Sequence, residues 1–188
     1  MDTPIPAANE DARNYEGYGG RMIYAHVPAE IETVQTEPIG SQDVHQLMCD
    51  KGFWNRPMPK KMGIIWAQLG HVFMELTEWN NAGDTLDAQE EAADVCIVIF
   101  DILGADGMWI TFDKIRPRLG SCMHLLAQVM QVYRKHGELD HNALAGIISH
   151  LKDFYGADAL YLAIKEKMDA TRNRARPLMY GTLMAAGR

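Results

Sequence analysis

Four carboxylates in one short stretch are the residues of this chain best suited to chemistry. Glu75 and Glu78 are three residues apart, as are Glu91 and Asp94, and each pair lies in largely apolar sequence. Residues three apart lie on the same side of an α-helix, so each pair points in one direction. Four like charges held close together are unfavourable at neutral pH unless a cation neutralises them. All-oxygen ligation suits Mg²⁺, with Mn²⁺ as a substitute, so the pattern predicts a divalent-metal site.

Two helices are predicted to position these acids. The first has a buried face with the spacing of a 3.6-residue helix, formed by Ile65, Leu69, Val72 and Leu76. Beside this face runs a polar stripe made of Gln68, His71, Glu75 and Glu78. The second helix is apolar on every side from Val95 to Ile99, as in a helix buried all round, and carries Asp101 two turns beyond Asp94.

The predicted connection between these helices is short and polar, since it contains Asn80, Asn81, Gly83 and Asp84. Consecutive helices with a short connection pack antiparallel, so the four acids are expected to face one another. The competing interpretation is two exposed acidic patches on amphipathic helices, because two acids three residues apart are common in an acidic chain.

Length and composition limit the class of protein. A chain of 188 residues suits one compact domain with or without an extension, and its 47% hydrophobic content argues against disorder. The net charge of −7 argues against general binding to nucleic acid polymers or anionic membranes. No apolar run reaches transmembrane length, and the N-terminus lacks a signal-peptide pattern. Cys49, Cys96 and Cys122 have no CxxC spacing, which predicts reduced thiols in a cytoplasmic protein.

The order of predicted elements is all-α. Residues 1–40 are rich in proline and predict an irregular N-terminal arm, with a disordered tail as the alternative. Residues 41–181 predict a helical domain, and residues 182–188 a C-terminal tail. Within the domain, Ser41 is the expected N-cap of a helix ending near Lys51, and Ser121 that of a helix ending near His136. Further helices are predicted over 142–155 and 158–174.

Phe53 and Trp54 form an aromatic turn before the first acidic helix. Adjacent aromatic residues on a loop stack on a nucleobase or plug the end of a helix bundle, and the sequence leaves both interpretations open.

A pseudo-repeat relates the acidic helix pair to a later pair. Gly104-Ala105-Asp106 recurs as Gly156-Ala157-Asp158, and the same offset aligns Asp101 with Asp153. In the later pair neutral residues replace the acids, namely Gln128, Gln131, Ala143 and Gly146. The pattern predicts a bundle with two pseudo-repeated helix pairs, one holding metal and the other supporting it; chance similarity is the alternative.

The C-terminal segment is basic in an otherwise acidic chain, with Lys165, Lys167, Arg172, Arg174 and Arg176. Cations at the C-terminus of a helix are favoured by its dipole alone. Beside a metal-loaded acidic site they would also hold phosphate, which arginine binds bidentately.

These acids resemble the signature of the MazG-like all-α nucleoside triphosphate pyrophosphohydrolase superfamily, which is ExxE, a spacer and ExxD. In this chain the signature corresponds to Glu75-Leu-Thr-Glu78, twelve intervening residues and Glu91-Ala-Ala-Asp94. A phage-type and bacterial branch also has a Gly-Trp-Trp segment, to which Gly52-Phe53-Trp54 is similar. Its closing EKM, NxxRP and Gly pattern is similar to Glu166-Lys-Met168, Asn173 to Pro177, and Gly181.

The resemblance covers residues 41–181 and has three departures. Phe53 replaces the usual first Trp, Tyr180 stands where His commonly precedes the Gly, and two extra residues separate the EKM from Asn173.

The resemblance implies hydrolysis of a nucleoside triphosphate to its monophosphate and pyrophosphate. Mg²⁺ held by the four acids would activate water and neutralise charge on the phosphates, and Glu78 is our candidate for the general base. Residues expected to contact the substrate are Lys167, Asn173, Arg176, Trp54 and Asp101. Phage relatives that act on purine deoxynucleotides make dGTP or dATP the favoured substrate. We also expect the protein to form a homo-oligomer, either a dimer or a tetramer.

Other functions fit parts of the same pattern. A pyrimidine or damaged dNTP is an alternative substrate, and a non-enzymatic nucleotide-binding helical protein would keep the site for binding alone. A di-iron carboxylate bundle also places acids on facing helices, but it needs ExxH motifs. The only such motif here, Glu138-Leu-Asp-His141, follows Gly137 at a helix junction and is disfavoured.

Overall fold

The computed structural model describes residues 38–54, 61–83, 86–116 and 120–174, without the side chains of residues 61, 62 and 86. Six α-helices form in these ranges: α1 Ser41–Asp50, α2 Lys61–Ala82, α3 Leu86–Ala105, α4 Cys122–His136, α5 His141–Tyr155 and α6 Ala157–Asn173. A 3₁₀ turn, Phe112–Lys114, lies between α3 and α4. The described ranges contain no β-strand, and the all-α bundle predicted from the sequence is confirmed.

α3 is the central helix and packs against α1, α2, α5 and α6. Its residues from Ala92 to Leu103 are all buried except Asp94, which is half-buried. The apolar run that predicted a helix buried all round therefore forms the middle of the core. A carboxylate on such a helix lies either at the edge of the core, as Asp94 does, or inside it, as Asp101 does.

α2 and α3 form the predicted antiparallel hairpin. Gln68, early in α2, hydrogen-bonds to Asp101 near the end of α3. Glu75, later in α2, lies beside Glu91 near the beginning of α3. The prediction that Asn80 and Asn81 lie in the connection is wrong, because both belong to the last turns of α2. The connection is correspondingly shorter, and Asp84 lies outside the described residues.

Gly104 allows α1 to pack very close to α3. A Cβ atom at Gly104 would lie 2.5 Å from the Cβ of His45 and closer still to the carbonyl oxygen of Ser41. No side chain fits in that space, so this glycine permits the approach that brings His45 to Asp101.

The start of α1 differs from the prediction. Ser41 is not the N-cap but the first helical residue, and the N-cap is Gly40, whose N–H donates to the Asp43 carboxylate at 3.0 Å. The Ser41 hydroxyl donates to the carbonyl of Met108 at 2.6 Å and accepts from the N–H of Ile110 at 2.9 Å. It therefore ties α1 to the segment that follows α3.

The later helix ends agree closely with the sequence. Ser121 caps α4 by accepting from the N–H of His124 at 3.3 Å, and Gly137 closes the helix with a φ of 71°. α5 begins one residue earlier than predicted because Asp140 is its N-cap and accepts from Ala143. α6 is displaced by one residue at each end from the predicted 158–174.

The structure does not confirm the pseudo-repeat, although α4 and α5 do pack as a second pair. Gly104 lies inside α3, whereas Gly156 joins α5 to α6 with a φ of 84°. Asp101 is buried, whereas its counterpart Asp153 is exposed. Gln128 donates to the capping residue Asp140 at 2.6 Å, so its amide supports the start of α5.

Some of the predicted segments and residues lie outside the ranges that the structure describes. The N-terminal arm lies outside the described residues except for 38–40, of which Ile39 is only 8% exposed and belongs to the core. Residues 175–188, which include Arg176, Gly181 and the predicted tail, also lie outside them. In the ranges that the structure describes, no helix has the length and apolar character needed to cross a membrane.

Candidate metal centre and adjoining cavity

Three of the four predicted ligands converge on one point. Glu75, Glu78 and Glu91 each offer a carboxylate oxygen, and these oxygens all lie within 4.8 Å of one another. We call these three residues the acidic cluster. Mg²⁺ binds oxygen at about 2.0–2.1 Å in octahedral geometry, so its ligand oxygens lie up to about 4 Å apart. The 4.8 Å limit in the cluster is slightly wider, so an ion bound there would require a small inward movement of the side chains.

The fourth predicted ligand, Asp94, is paired with a lysine. Lys167 Nζ on α6 donates to Asp94 Oδ2 at 2.6 Å and lies 3.6 Å from Glu90 Oε2. Lys167, expected to bind phosphate, thus contacts two carboxylates that lie on either side of Glu91 in the sequence. Asn173 is exposed at the last residue of α6, and Arg176 lies outside the described residues.

His71 joins the acidic cluster from the same stripe of α2. Its Nε2 atom lies 2.7 Å from Oε1 of Glu75, one turn further along the helix. The hydrogen bond to Glu75 raises the pKa of His71, although burial opposes the change. A protonated His71 would orient the Glu75 carboxylate by donating to it.

The electrostatic environment of this site favours cations. Burial raises the pKa of Glu91, and the nearby charge of Asp94 raises it further. Burial also raises the pKa of Asp94, and it outweighs the opposing effect of Lys167. Burial alone would lower the pKa of Lys167, but its hydrogen bond to Asp94 and the neighbouring carboxylates raise it overall. The pKa values of Glu91 and Asp94 are thus raised mainly by burial, whereas those of His71 and Lys167 are raised by neighbouring carboxylates.

Asp101 lies deeper in the hairpin and accepts hydrogen bonds from three elements. His45 Nδ1 on α1 lies at 2.8 Å, Trp54 Nε1 after α1 at 2.9 Å, and Gln68 Nε2 on α2 at 3.3 Å. Asp101 is only 3% exposed. Burial raises the pKa of Asp101, and the hydrogen bonds from His45 and Trp54 oppose that change. The carboxylate therefore joins α1, the aromatic turn and α2 to the central helix; its predicted contact with a sugar hydroxyl stays a prediction.

The hydrogen bond to Asp101 determines how His45 presents its other nitrogen. If Nδ1 donates to the carboxylate, neutral His45 has an acceptor at Nε2. Cys49 Sγ lies 3.6 Å from that atom. Burial, followed by the charges of Asp101 and Asp50, raises the pKa of Cys49, so this residue is a thiol donor at neutral pH. His45 was not predicted from the sequence, where the one available signal was its spacing of one helical turn from Cys49.

A cavity opens beside this network. Its volume is about 280 Å³, and its lining residues are His45, Trp54, Ile64, Ile65 and Ala105. The rings of His45 and Trp54 meet edge to face, with centroids 5.1 Å apart. Trp54 also packs against the core, as the bundle-plug interpretation of the aromatic turn expects, whereas stacking on a nucleobase stays a prediction. The volume is close to the lower end of ligand pockets, about 300–1,000 Å³.

The cavity and the acidic cluster lie along the same hairpin. On α2 the order is Ile65 at the cavity, Gln68 at Asp101, and Glu75 in the cluster. At 1.5 Å per residue, Ile65 and Glu75 are about 15 Å apart along the helix axis. The cavity and the acidic cluster are therefore about three helical turns apart along α2.

Lys51 fixes the end of α6 near this hairpin. Its Nζ atom donates to the carbonyl of Arg172 at 2.6 Å and to that of Arg174 at 2.8 Å. A lysine at the C-terminus of a helix satisfies carbonyls that have no intrahelical partner. The sequence offered no sign of this contact, because Lys51 and α6 are far apart in the chain.

Comparison of this chain with known proteins identifies no relative from which the roles of these residues could be transferred. Neither a family model nor a curated protein nor a solved structure gives a significant match to this chain.

Proposed function

We propose that this protein is a Mg²⁺-dependent nucleoside triphosphate pyrophosphohydrolase, which converts a (d)NTP and water to a (d)NMP and pyrophosphate. The observation that carries the proposal is the convergence of Glu75, Glu78 and Glu91 from two helices on one point. Together with Asp94, these three residues form the ExxE and ExxD pattern that resembles the MazG-like superfamily. Simple acidic patches on separate helix faces would not require this convergence.

The residues of the chain have distinct tasks in this proposal. The acidic cluster would hold the metal, and His71 would keep the Glu75 carboxylate oriented through their 2.7 Å contact. A bound divalent cation would supply charge neutralisation at the phosphates and would lower the pKa of a water molecule. Lys167 on the neighbouring helix would bind phosphate oxygens. Glu78 is the most exposed acid of the cluster and is our candidate base for accepting the proton of that water.

The arrangement along the hairpin supports one orientation of the proposed substrate. The phosphates would lie at the acidic cluster, and the base would enter the cavity against Trp54, whose ring can stack on a nucleobase. We propose a purine deoxynucleotide such as dGTP or dATP as the substrate, with a pyrimidine or damaged dNTP as the alternative. The three cysteines are free, which supports a cytoplasmic location, and we propose a homo-oligomer as the working state.

A nucleotide panel tests this proposal. The protein is incubated with each NTP and dNTP in the presence of Mg²⁺ or Mn²⁺, and products are separated by chromatography. We expect monophosphate and pyrophosphate from at least one purine dNTP, and no turnover after chelation of the metal. Metal-dependent nucleotide binding without turnover of any nucleotide would instead identify a non-enzymatic nucleotide-binding protein.

A further inference from the structure

Lys167 is paired with a carboxylate that a bound divalent cation would also attract. Its Nζ atom lies 2.6 Å from Asp94 Oδ2 and 3.6 Å from Glu90 Oε2. Its side chain is 28% exposed and that of Asp94 31%, so the pair is partly removed from water. Attraction between opposite charges is stronger in such a setting than on an open surface.

The partner of Lys167 is the carboxylate that would complete the acidic cluster. Asp94 lies three residues after Glu91 on α3, so both project from the same side of that helix. A divalent cation at the cluster and the ammonium of Lys167 would compete for the same carboxylate and would repel each other. The metal carries twice the charge and binds oxygen directly, which favours it in this competition.

We propose that Lys167 is an exchangeable internal counter-ion, an inference that rests on the proposed function. In the metal-free protein it neutralises Asp94. A divalent cation at the acidic cluster takes Asp94 as a further ligand and displaces the ammonium, which then binds the phosphates of the substrate. One displacement thus frees a ligand for the metal and a cation for the triphosphate. Metal and triphosphate therefore bind with positive coupling, which acts equally in both directions.

Metal binding without nucleotide tests the exchange directly. Mn²⁺ binding to the full chain is measured by electron paramagnetic resonance for the wild type, Lys167→Met and Lys165→Met. Lys165 is an exposed residue of the same helix, so its variant has the same change in net charge without loss of the Asp94 contact. We expect Lys167→Met to bind Mn²⁺ roughly five- to tenfold more tightly than Lys165→Met, within the usual range of coupling between sites. Equal or weaker binding by Lys167→Met would overturn the exchange.

A second measurement uses the wild-type protein and does not depend on how a variant folds. Acetylation of individual lysines is followed by mass spectrometry with and without saturating Mn²⁺. We expect Mn²⁺ to speed acetylation of Lys167 several-fold relative to Lys165, and a triphosphate with a non-hydrolysable α,β bridge to slow it again. An unchanged rate at Lys167 would overturn the exchange.

The outcomes separate this inference from the proposed function. Tighter Mn²⁺ binding by Lys167→Met without hydrolysis of any nucleotide by the wild type would refute the pyrophosphohydrolase and leave the exchange standing. Hydrolysis by the wild type without tighter binding by Lys167→Met would refute the exchange alone. Failure of the wild type to bind Mn²⁺ would refute both.

Discussion

Replacing Glu75 or Glu91 by glutamine is expected to lower the turnover number roughly 100-fold or more, the scale reached when one source of charge stabilisation is removed from an active site. Glutamine keeps the volume of glutamate but loses the charge that holds a divalent cation. Nucleotide hydrolysis at saturating substrate is the measurement, with Mn²⁺ affinity measured in parallel. The Mn²⁺ affinity is expected to fall in both variants, which attributes the loss of turnover to the metal.

The control is Asp87→Asn, which removes an exposed carboxylate from the same helix as Glu91. Its turnover is expected to match the wild type, and wild-type turnover in Glu75→Gln would show that the acids are only a solvated surface.

The stability of the metal-free Glu91→Gln variant provides a further check on folding. Because the folded-state pKa of Glu91 is raised, its contribution to stability is present below about pH 4 and is lost as pH rises through the raised pKa. Metal-free Glu91→Gln should therefore melt no lower than the wild type near pH 8.

Replacing Asp101 by alanine is expected to destabilise the protein by about 3 kcal/mol or more, the scale seen when one member of a buried charged network is removed. The alanine would leave the donors of His45, Trp54 and Gln68 without their common acceptor, in a site where only 3% of Asp101 is exposed. The free energy of unfolding in urea is the measurement. Asp101→Asn should lose less, because its amide oxygen still accepts a hydrogen bond.

Asp153→Ala is the matched control for this prediction. It removes the same side chain from an exposed position on α5, where surface substitutions change stability by about 0.5 kcal/mol or less. If Asp101→Ala were no more destabilising than Asp153→Ala, the network would not be what holds α1 and the aromatic turn to the central helix.

The features that could be predicted from the sequence are local ones. The apolar run of α3 and the three-residue spacing of the acids follow from the period of a single helix. They correctly predicted the buried helix and the α2 and α3 hairpin. Ser121 was correctly predicted as an N-cap, because its hydroxyl accepts from a backbone N–H of its own helix.

The features that were missed depend on partners far along the chain. Ser41 has a capping residue type, but its hydroxyl bonds instead to backbone groups 67 and 69 residues away. His45 meets Asp101 across 56 residues, and Lys167 meets Asp94 across 73. No period or local propensity carries such information. Helix geometry could therefore place Asp94 near the acidic cluster, but it could not show that a lysine from α6 would pair with it.

The most direct measurement of the central claim is the position of a water-derived oxygen in the products. Hydrolysis of a reactive purine dNTP with Mg²⁺ in oxygen-18-enriched water is followed by mass spectrometry of each product. Attack of water on the α-phosphorus predicts one labelled oxygen in the monophosphate, none in the pyrophosphate, and no orthophosphate. Labelled orthophosphate with a nucleoside diphosphate, or label in the pyrophosphate, would contradict the account of this site.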